Sequence, residues 1–453
     1  MTPCTLSRPF QMPATSHQPN RYEGPSREAV LALRKKHVNP AVFTFYSEPL
    51  MIVEGHRQYV YDETGRRYLD LFAGIATVSC GHSHPKVLAR IREQANRLQH
   101  ASTIYLHPGM GQLAEQLVDK LPAGLDTVYF TNSGSEANEL AVNMARLASG
   151  SSDIIALRSG YHGGSATAMG LTGIQSWKHP VPQGNSILHA VSPHPYRSLF
   201  SGTPEEIATK SVQDLENLIM TSTPGRVAAF LCEAVQGVNG ASHGAFNYLR
   251  EAYPVIHKSG GLCIADEVQC GFARTGYHFW GFENFSVTPD MVTLAKAIGN
   301  GLPLAAVITR REIAEPLANK LHFNTFAGNP ISMAAGMAVL EVIDEEGLQK
   351  NACVVGEHFK QGLRALMGRH PIIGEVRGLG LMLGIELVRD PVSKAPATAE
   401  AALIAERMRE HGVLIGKGGL LGNVLRIKPP LCITTEDADF SCQVLDHVLT
   451  ELE

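Results

Sequence analysis

The chain has 453 residues, 44% of them hydrophobic and 18% charged, with a formal net charge of −4 and no long basic run. That length suits two or three domains around a large core. The charge balance argues against docking on nucleic acid or an anionic membrane surface, and no apolar stretch approaches the roughly 18 residues that a membrane-spanning helix needs.

Residues 1–22 hold no acidic residue and carry Arg8 and Arg21. This composition suits a mitochondrial transit segment or a disordered tail, hence a mitochondrial protein or, alternatively, a cytoplasmic one. "RQYVYDETGRRYLDL" (57–71) reads as a hairpin turning at Asp62-Glu63-Thr64-Gly65, with Gly65 in a positive-φ turn position. "HPKVLARIREQANRLQ" (84–99) places apolar residues at helical spacing. The eight cysteines form no C-x-x-C pair, and several lie in apolar runs. They read as buried free thiols rather than a disulfide framework or zinc site.

Past residue 110, short β-rich runs recur: "DTVYFT" (126–131), "DIIAL" (153–157), "VAAFLCE" (227–233), "GLCIADE" (261–267), "DMVTLA" (290–295) and "LAAVIT" (304–309). Helical patterns such as "EANELAVNMARLA" separate most of them. This alternation predicts an α/β fold, a mostly parallel sheet covered on both faces, with ligands at the carboxyl ends of its strands. After "TFAGNP" (325–330), a helical run and the strand pair "VRGLGLMLGIEL" (376–387) predict a smaller α+β domain. The expected division is 1–75, an N-terminal segment and hairpin packing with the small domain; 76–330, the large ligand-binding domain; and 331–453, the small C-terminal domain.

Four strand ends carry unusual residues. In "TNSGSEANE" (131–139) a strand passes through Ser133-Gly134-Ser135 into a helix. Free N–H groups and a glycine there make an anion cradle, or simply a helix capped by Ser133. "RSGYHGGS" (158–165) sets Tyr161 and His162 among glycines, where an aromatic ring either stacks on a flat ligand or packs on its own domain. "IADEVQCGFARTG" (264–276) ends a strand on Asp266 and Glu267. A buried carboxylate needs a cation or strong donor, either a ligand or an arginine such as Arg274. "TLAKAIGNGLP" (293–303) puts Lys296 after a short apolar run. If its strand neighbours the one ending at Asp266, both side chains project into one crevice. The lysine then suits a Schiff base with an aldehyde cofactor, and the aspartate suits a pyridine nitrogen held protonated. Together these parts supply what pyridoxal phosphate needs. His82 and His84 lack further nearby ligands for a metal. Gly378-Leu379-Gly380 with Gly384 lies in strand-like residues with no helix after it, unlike a dinucleotide fingerprint.

With these motifs in view, the chain resembles class III (subgroup II) aminotransferases over about residues 40–440, and most of all the alanine–glyoxylate type. The shared motifs include "NSGSEANELA", "YHG", "IADEVQ-GF-R-G", "TLAKAIGNGLPLAAVIT", "HFNTF-GNP" and "RI-PPLCIT". The resemblance implies the fold-type I pyridoxal 5'-phosphate-dependent transferase fold. It also implies a homodimer, or a tetramer, with the active site at the subunit interface. It implies Lys296 as the lysine joined to the cofactor, Asp266 at the pyridine nitrogen, Gln269 donating to the 3-hydroxyl oxygen, and Val268 and Tyr161 sandwiching the ring. Ser133, Gly134 and Ser135 would hold the phosphate, with Thr325 reaching it from the partner, and His162 and Glu233 would complete the pocket. Arg426 would pair with a substrate carboxylate.

The chain departs from the family pattern at Ala234, where the usual E-P-x-Q-G has proline, and at Ala273 and Ala327, where glycine is common. Ornithine- and GABA-type relatives carry a glutamate after Q-G that masks the arginine; here Val238 and Asn239 follow Gly237. The expectation is therefore ping-pong transfer from alanine or a β-amino acid to glyoxylate or pyruvate. The alternative is a phospho-lyase acting on phosphoethanolamine-type substrates, which shares the cofactor residues.

Overall fold

Period-two runs and a tight turn build the first sheet. β1 (Ile52–His56), β2 (Tyr59–Asp62) and β3 (Arg67–Asp70) form an antiparallel meander in which Tyr59 lies opposite Leu69. The β2–β3 turn is the expected one: Gly65 has φ 82°, and Asp62 Oδ1 accepts from the N–H groups of Thr64 at 2.9 Å and Arg66 at 3.0 Å. The computed structural model describes residues 11–452. From Met12 the chain lies against this meander. Arg67 donates to the Pro13 carbonyl at 2.7 Å, and His17 pairs with Glu54 at 2.6 Å while stacking on His56 at 4.3 Å. This stretch is docked rather than a free tail; residues 1–10 of the acid-free segment lie outside the described residues.

The large sheet comprises β4 (Thr127–Thr131), β5 (Ile154–Leu157), β6 (Ile187–Ala190), β7 (Ala229–Cys232), β8 (Leu262–Asp266), β9 (Met291–Leu294) and β10 (Ala305–Thr309). Their order is β4-β10-β9-β8-β7-β5-β6. All the pairings are parallel except those of β10, which runs antiparallel to β4 and β9. Alternate residues along β5 serve the two faces, as the period of two requires. Ile154 and Ala156 pack with Ala137, Leu140 and Ala141 of the helix Gly134–Ser149. Ile155 and Leu157 pack with Val212, Leu215 and Ala252 of the helices Pro204–Ser222 and Tyr248–Lys258. Burial on both faces is why these strands read as unbroken apolar runs.

The C-terminal region adds β11 (Ile373–Leu379), β12 (Met382–Asp390), β13 (Ala395–Pro396), β14 (Val413–Leu414), β15 (Gly416–Gly418) and β16 (Val424–Ile427). β11 and β12 form an antiparallel hairpin, β16 lies between β12 and β15, and β14 pairs in parallel with β3. That last pairing ties the N-terminal meander to the C-terminal region. Gly380 sits in the β11–β12 turn, so no dinucleotide loop forms there. The seven described cysteines are all free. His82 and His84 go to different carboxylates, Asp70 and Glu346, each at 2.8 Å. Among the described residues, no helix is long and apolar enough to cross a membrane.

Candidate active site

β8 and β9 are parallel neighbours, with Asp266 in register with Thr293, so their carboxyl ends open on one crevice. Asp266 ends β8. Lys296 begins the turn after β9 in the left-handed backbone region, φ 53°. A side chain with a Cβ costs roughly 1–2 kcal/mol there, strain of a kind that persists where the surroundings fix it. Both side chains line one cavity of about 170 Å³ with Gly134, Ser135, Asn138, Tyr161, His162, Gly163, Glu233, Val268, Gln269 and Ala295. Burial pushes the Lys296 amine below its ordinary range, opposed by the carboxylates of Asp266 and Glu233.

The partner of Asp266 is not Arg274. His162 Nδ1 pairs with Asp266 Oδ2 at 2.7 Å, Asn138 Nδ2 donates to the same oxygen at 2.9 Å, and the Val268 N–H donates to Oδ1 at 3.1 Å. These donors supply the partners that a buried carboxyl group requires. Arg274 instead donates to the carbonyls of Leu381 and Pro429 and to Ser79 Oγ, and burial lowers it to about 9.

The other walls follow from local chain geometry. Ser133 caps the helix Gly134–Ser149 by accepting from the Glu136 N–H at 3.3 Å, and the first N–H groups of any helix lack intrahelical partners. At Gly134 a Cβ would lie 3.3 Å from both Val268 methyls. Gly163 has φ 131°, and a Cβ there would meet Ser135 Oγ at 2.3 Å, while Gly164 N–H donates to that oxygen at 3.1 Å. Only glycine lets the 158–165 loop close over the helix start. Glu233, just past β7, accepts from the N–H groups of Tyr161 at 3.0 Å and Gly237 at 2.7 Å, and burial raises its carboxyl. Behind the pocket, Trp177 packs edge-on against the Tyr161 ring at 4.9 Å.

Arg426, on β16, is buried with its guanidinium 5.1 Å from the Phe72 ring, and its Nε and Nη1 find no partner among the described residues. Burial lowers it to about 10 against the pull of Glu233. Ser133 and Thr325 are exposed and do not line the cavity of their own chain. Four residues at the site were not anticipated: Asn138, Gly163, Ala295 and Lys428. The Lys428 amine is fully buried and donates to Gln269 Oε1 at 2.7 Å and the Gly237 carbonyl at 2.8 Å.

This donor set fits a flat, phosphorylated aromatic aldehyde. It offers a helix start for a phosphate, an aromatic ring and a β-branched side chain on the walls, a carboxylate at one edge and an amine of lowered basicity. Residues 44–449 match the family model described as aminotransferase class-III. The chain belongs to the class III aminotransferases. Among relatives of this class III chain, alanine–glyoxylate aminotransferase 2 homolog 2, mitochondrial, of Arabidopsis thaliana is 52% identical over 442 residues, 98% of this chain and 91% of that protein. Alanine–glyoxylate aminotransferase 2, mitochondrial, of Homo sapiens is 41% identical, covering 100% of this chain and 92% of that protein. A solved phospholyase from Arthrobacter in complex with phosphoethanolamine superposes with a TM-score of 0.87 at 34% identity, over 94% of this chain and 100% of that one. The protein is therefore a pyridoxal 5'-phosphate-dependent transaminase of the α/β fold-type I class.

Proposed function

We propose that this aminotransferase moves an amino group from alanine, or a β-amino acid, to glyoxylate or pyruvate in two half-reactions at one site. The observation that carries this reading is the buried Arg426, whose Nε and Nη1 are left without partners among the described residues. Val238 and Asn239 follow Gly237, so no carboxylate in that stretch masks the guanidinium. A substrate whose carboxylate lies close to its amine then gains a planar, two-pronged contact. The names of the two relatives point the same way.

The bound cofactor supplies an aldehyde carbon that takes the amino group and a protonated ring that accepts electron density from the substrate carbon. Lys296 would hold the cofactor through its side-chain amine, and that amine in its neutral form would move the substrate proton. The lowered basicity of Lys296 favours that neutral form. Asp266, held by His162 and Asn138, keeps the ring nitrogen protonated. Val268 and Tyr161 flank the ring, Gln269 donates to its hydroxyl oxygen, Glu233 anchors Tyr161, and Ser133, Gly134 and Ser135 receive the phosphate. We assign this pocket to the body 76–330, with 1–75 and 331–453 forming the smaller one.

Thr325 completes the phosphate site from a second copy in this reading, which is a homodimer. Supporting it, Ile104, Tyr105, Leu106, Phe323 and Phe326 are all more than half exposed, an apolar surface of the kind partners cover. The mitochondrion is the proposed compartment, on the relatives' names. A donor panel of alanine, β-alanine and ornithine against glyoxylate and pyruvate tests the substrates. Alanine should outpace ornithine's terminal amine; the reverse order, or phosphate release from phosphoethanolamine without any keto acid, would overturn the proposal.

A further inference from the structure

We propose that Lys428 and Gly237 form a clamp that fixes the rotation of the Gln269 amide, so that its nitrogen, not its oxygen, faces the cofactor hydroxyl. This deepens the function proposed above and rests on its assignment for Gln269. Lys428 is wholly buried just past β16, and its amine reaches Gln269 Oε1 at 2.7 Å and the Gly237 carbonyl at 2.8 Å. An ammonium has no acceptor, and a neutral amine that donates to both carbonyls has spent both of its N–H bonds. With Gln269 Oε1 accepting from Lys428, the amide nitrogen is left as the group free to turn toward the cavity that Gln269 lines. Among the described residues, that nitrogen donates to no protein group, so its donor capacity is reserved.

Gly237 supplies the second jaw. A Cβ on it would lie 2.5 Å from the Gln269 amide carbon and oxygen and 2.6 Å from its nitrogen. The backbone at 237 thus lies flat against the amide face, and Glu233 holds it there through the Gly237 N–H at 2.7 Å. Burial, with the positive charges of Arg426 and Lys296 close by, drives the Lys428 amine well below its ordinary range. A lysine kept at that cost needs a positional reason, and orienting a group that touches the cofactor is one. Lys428 is a positioning residue: it acts through Gln269.

The test uses the full-length holoenzyme without substrate. Two quantities are read, the dissociation constant for pyridoxal phosphate and the pH midpoint of the bound cofactor's near-visible absorbance. Lys428→Met and Gln269→Ala are each expected to weaken binding about tenfold, the scale of one buried hydrogen bond, and to move the midpoint in the same direction. The double variant should be no worse than the weaker-binding single variant, because both remove one arrangement. Gly237→Ala keeps Lys428 and pushes a methyl into the amide; it should move the same midpoint, and have no effect on it in the Gln269→Ala background. It serves if Lys428→Met fails to fold. A normal midpoint in Lys428→Met or Gly237→Ala alongside a shifted one in Gln269→Ala would overturn the clamp and leave the Gln269 assignment standing. An unchanged Gln269→Ala would overturn both, as additive effects in the doubles would overturn the clamp.

Discussion

Arg426 offers the sharpest perturbation of substrate choice. Its guanidinium is buried on β16 over Phe72, with two N–H-bearing nitrogens unpaired among the described residues. A hydrogen bond to a charged group contributes about 1.5–3 kcal/mol, so two of them to a substrate carboxylate contribute roughly 3–6 kcal/mol. At tenfold per 1.4 kcal/mol, Arg426→Met should lower kcat/KM for alanine by roughly 10²–10⁴-fold. Arg426→Lys keeps the charge but not the fork, and should recover only part of that loss. Ethylamine is the control, because it carries the reacting amine without the carboxylate. Single-turnover absorbance of the bound cofactor, mixed with alanine or ethylamine, reads both reactions in wild type and variants. The alanine rate should collapse while the ethylamine rate, slow in wild type, stays within about threefold. Equal falls for both amines would mean that Arg426 supports the pocket rather than the carboxylate, and the reasoning would fail.

Three further outcomes follow from the same geometry. Asp266→Asn removes the anion that His162 and Asn138 hold in place, and should slow the alanine half-reaction by at least roughly 10²-fold; a rate within tenfold of wild type would contradict its placement at the ring nitrogen. Burial pushes the Glu267 carboxyl up to about 8, against the pull of the Gly281 and Phe282 N–H groups. Its folded value lies above its unfolded one, so the stability it contributes is full below pH 4.5 and is lost as pH rises through about 8. Thermal melts of Glu267→Gln between pH 5 and 8 should therefore fall less steeply with pH than wild type, and identical slopes would count against this. Gly163→Ala puts a methyl 2.3 Å from Ser135 Oγ at a backbone φ of 131°. It should destabilise the chain by about 2 kcal/mol or more and weaken cofactor binding, as urea melts and cofactor titration would report; a neutral result would remove the close-approach argument.

The large sheet was legible because β5, β7, β8, β9 and β10 are buried on both faces, which writes an apolar run into each. β6 left no such mark: it is four residues long and half-buried, and carries His189. Lys296 and Asp266 were legible for the opposite reason, each a charge at the end of an apolar strand. What the sequence could not say was which group meets Asp266, since Arg274 is eight residues away while His162 is brought across 104 positions by the fold. Asn138 did leave a signal, a polar residue on a helix face otherwise filled by Ala137, Leu140 and Ala141. So did Lys428, a second cation two residues beyond Arg426 and just past the apolar strand β16. Ala273 shows why its family position favours glycine: it sits at φ 66°, a backbone that glycine adopts freely.

Two lysines stand at this site, half-buried Lys296 on the cavity wall and fully buried Lys428 against Gln269, and only the first is assigned to the cofactor. Borohydride reduction of the holoenzyme, followed by proteolysis and mass spectrometry of the peptides, distinguishes them directly. The account predicts the cofactor's mass on the peptide carrying Lys296, and none on it in Lys296→Ala; the mass on Lys428, or on any lysine outside the crevice between β8 and β9, would contradict it.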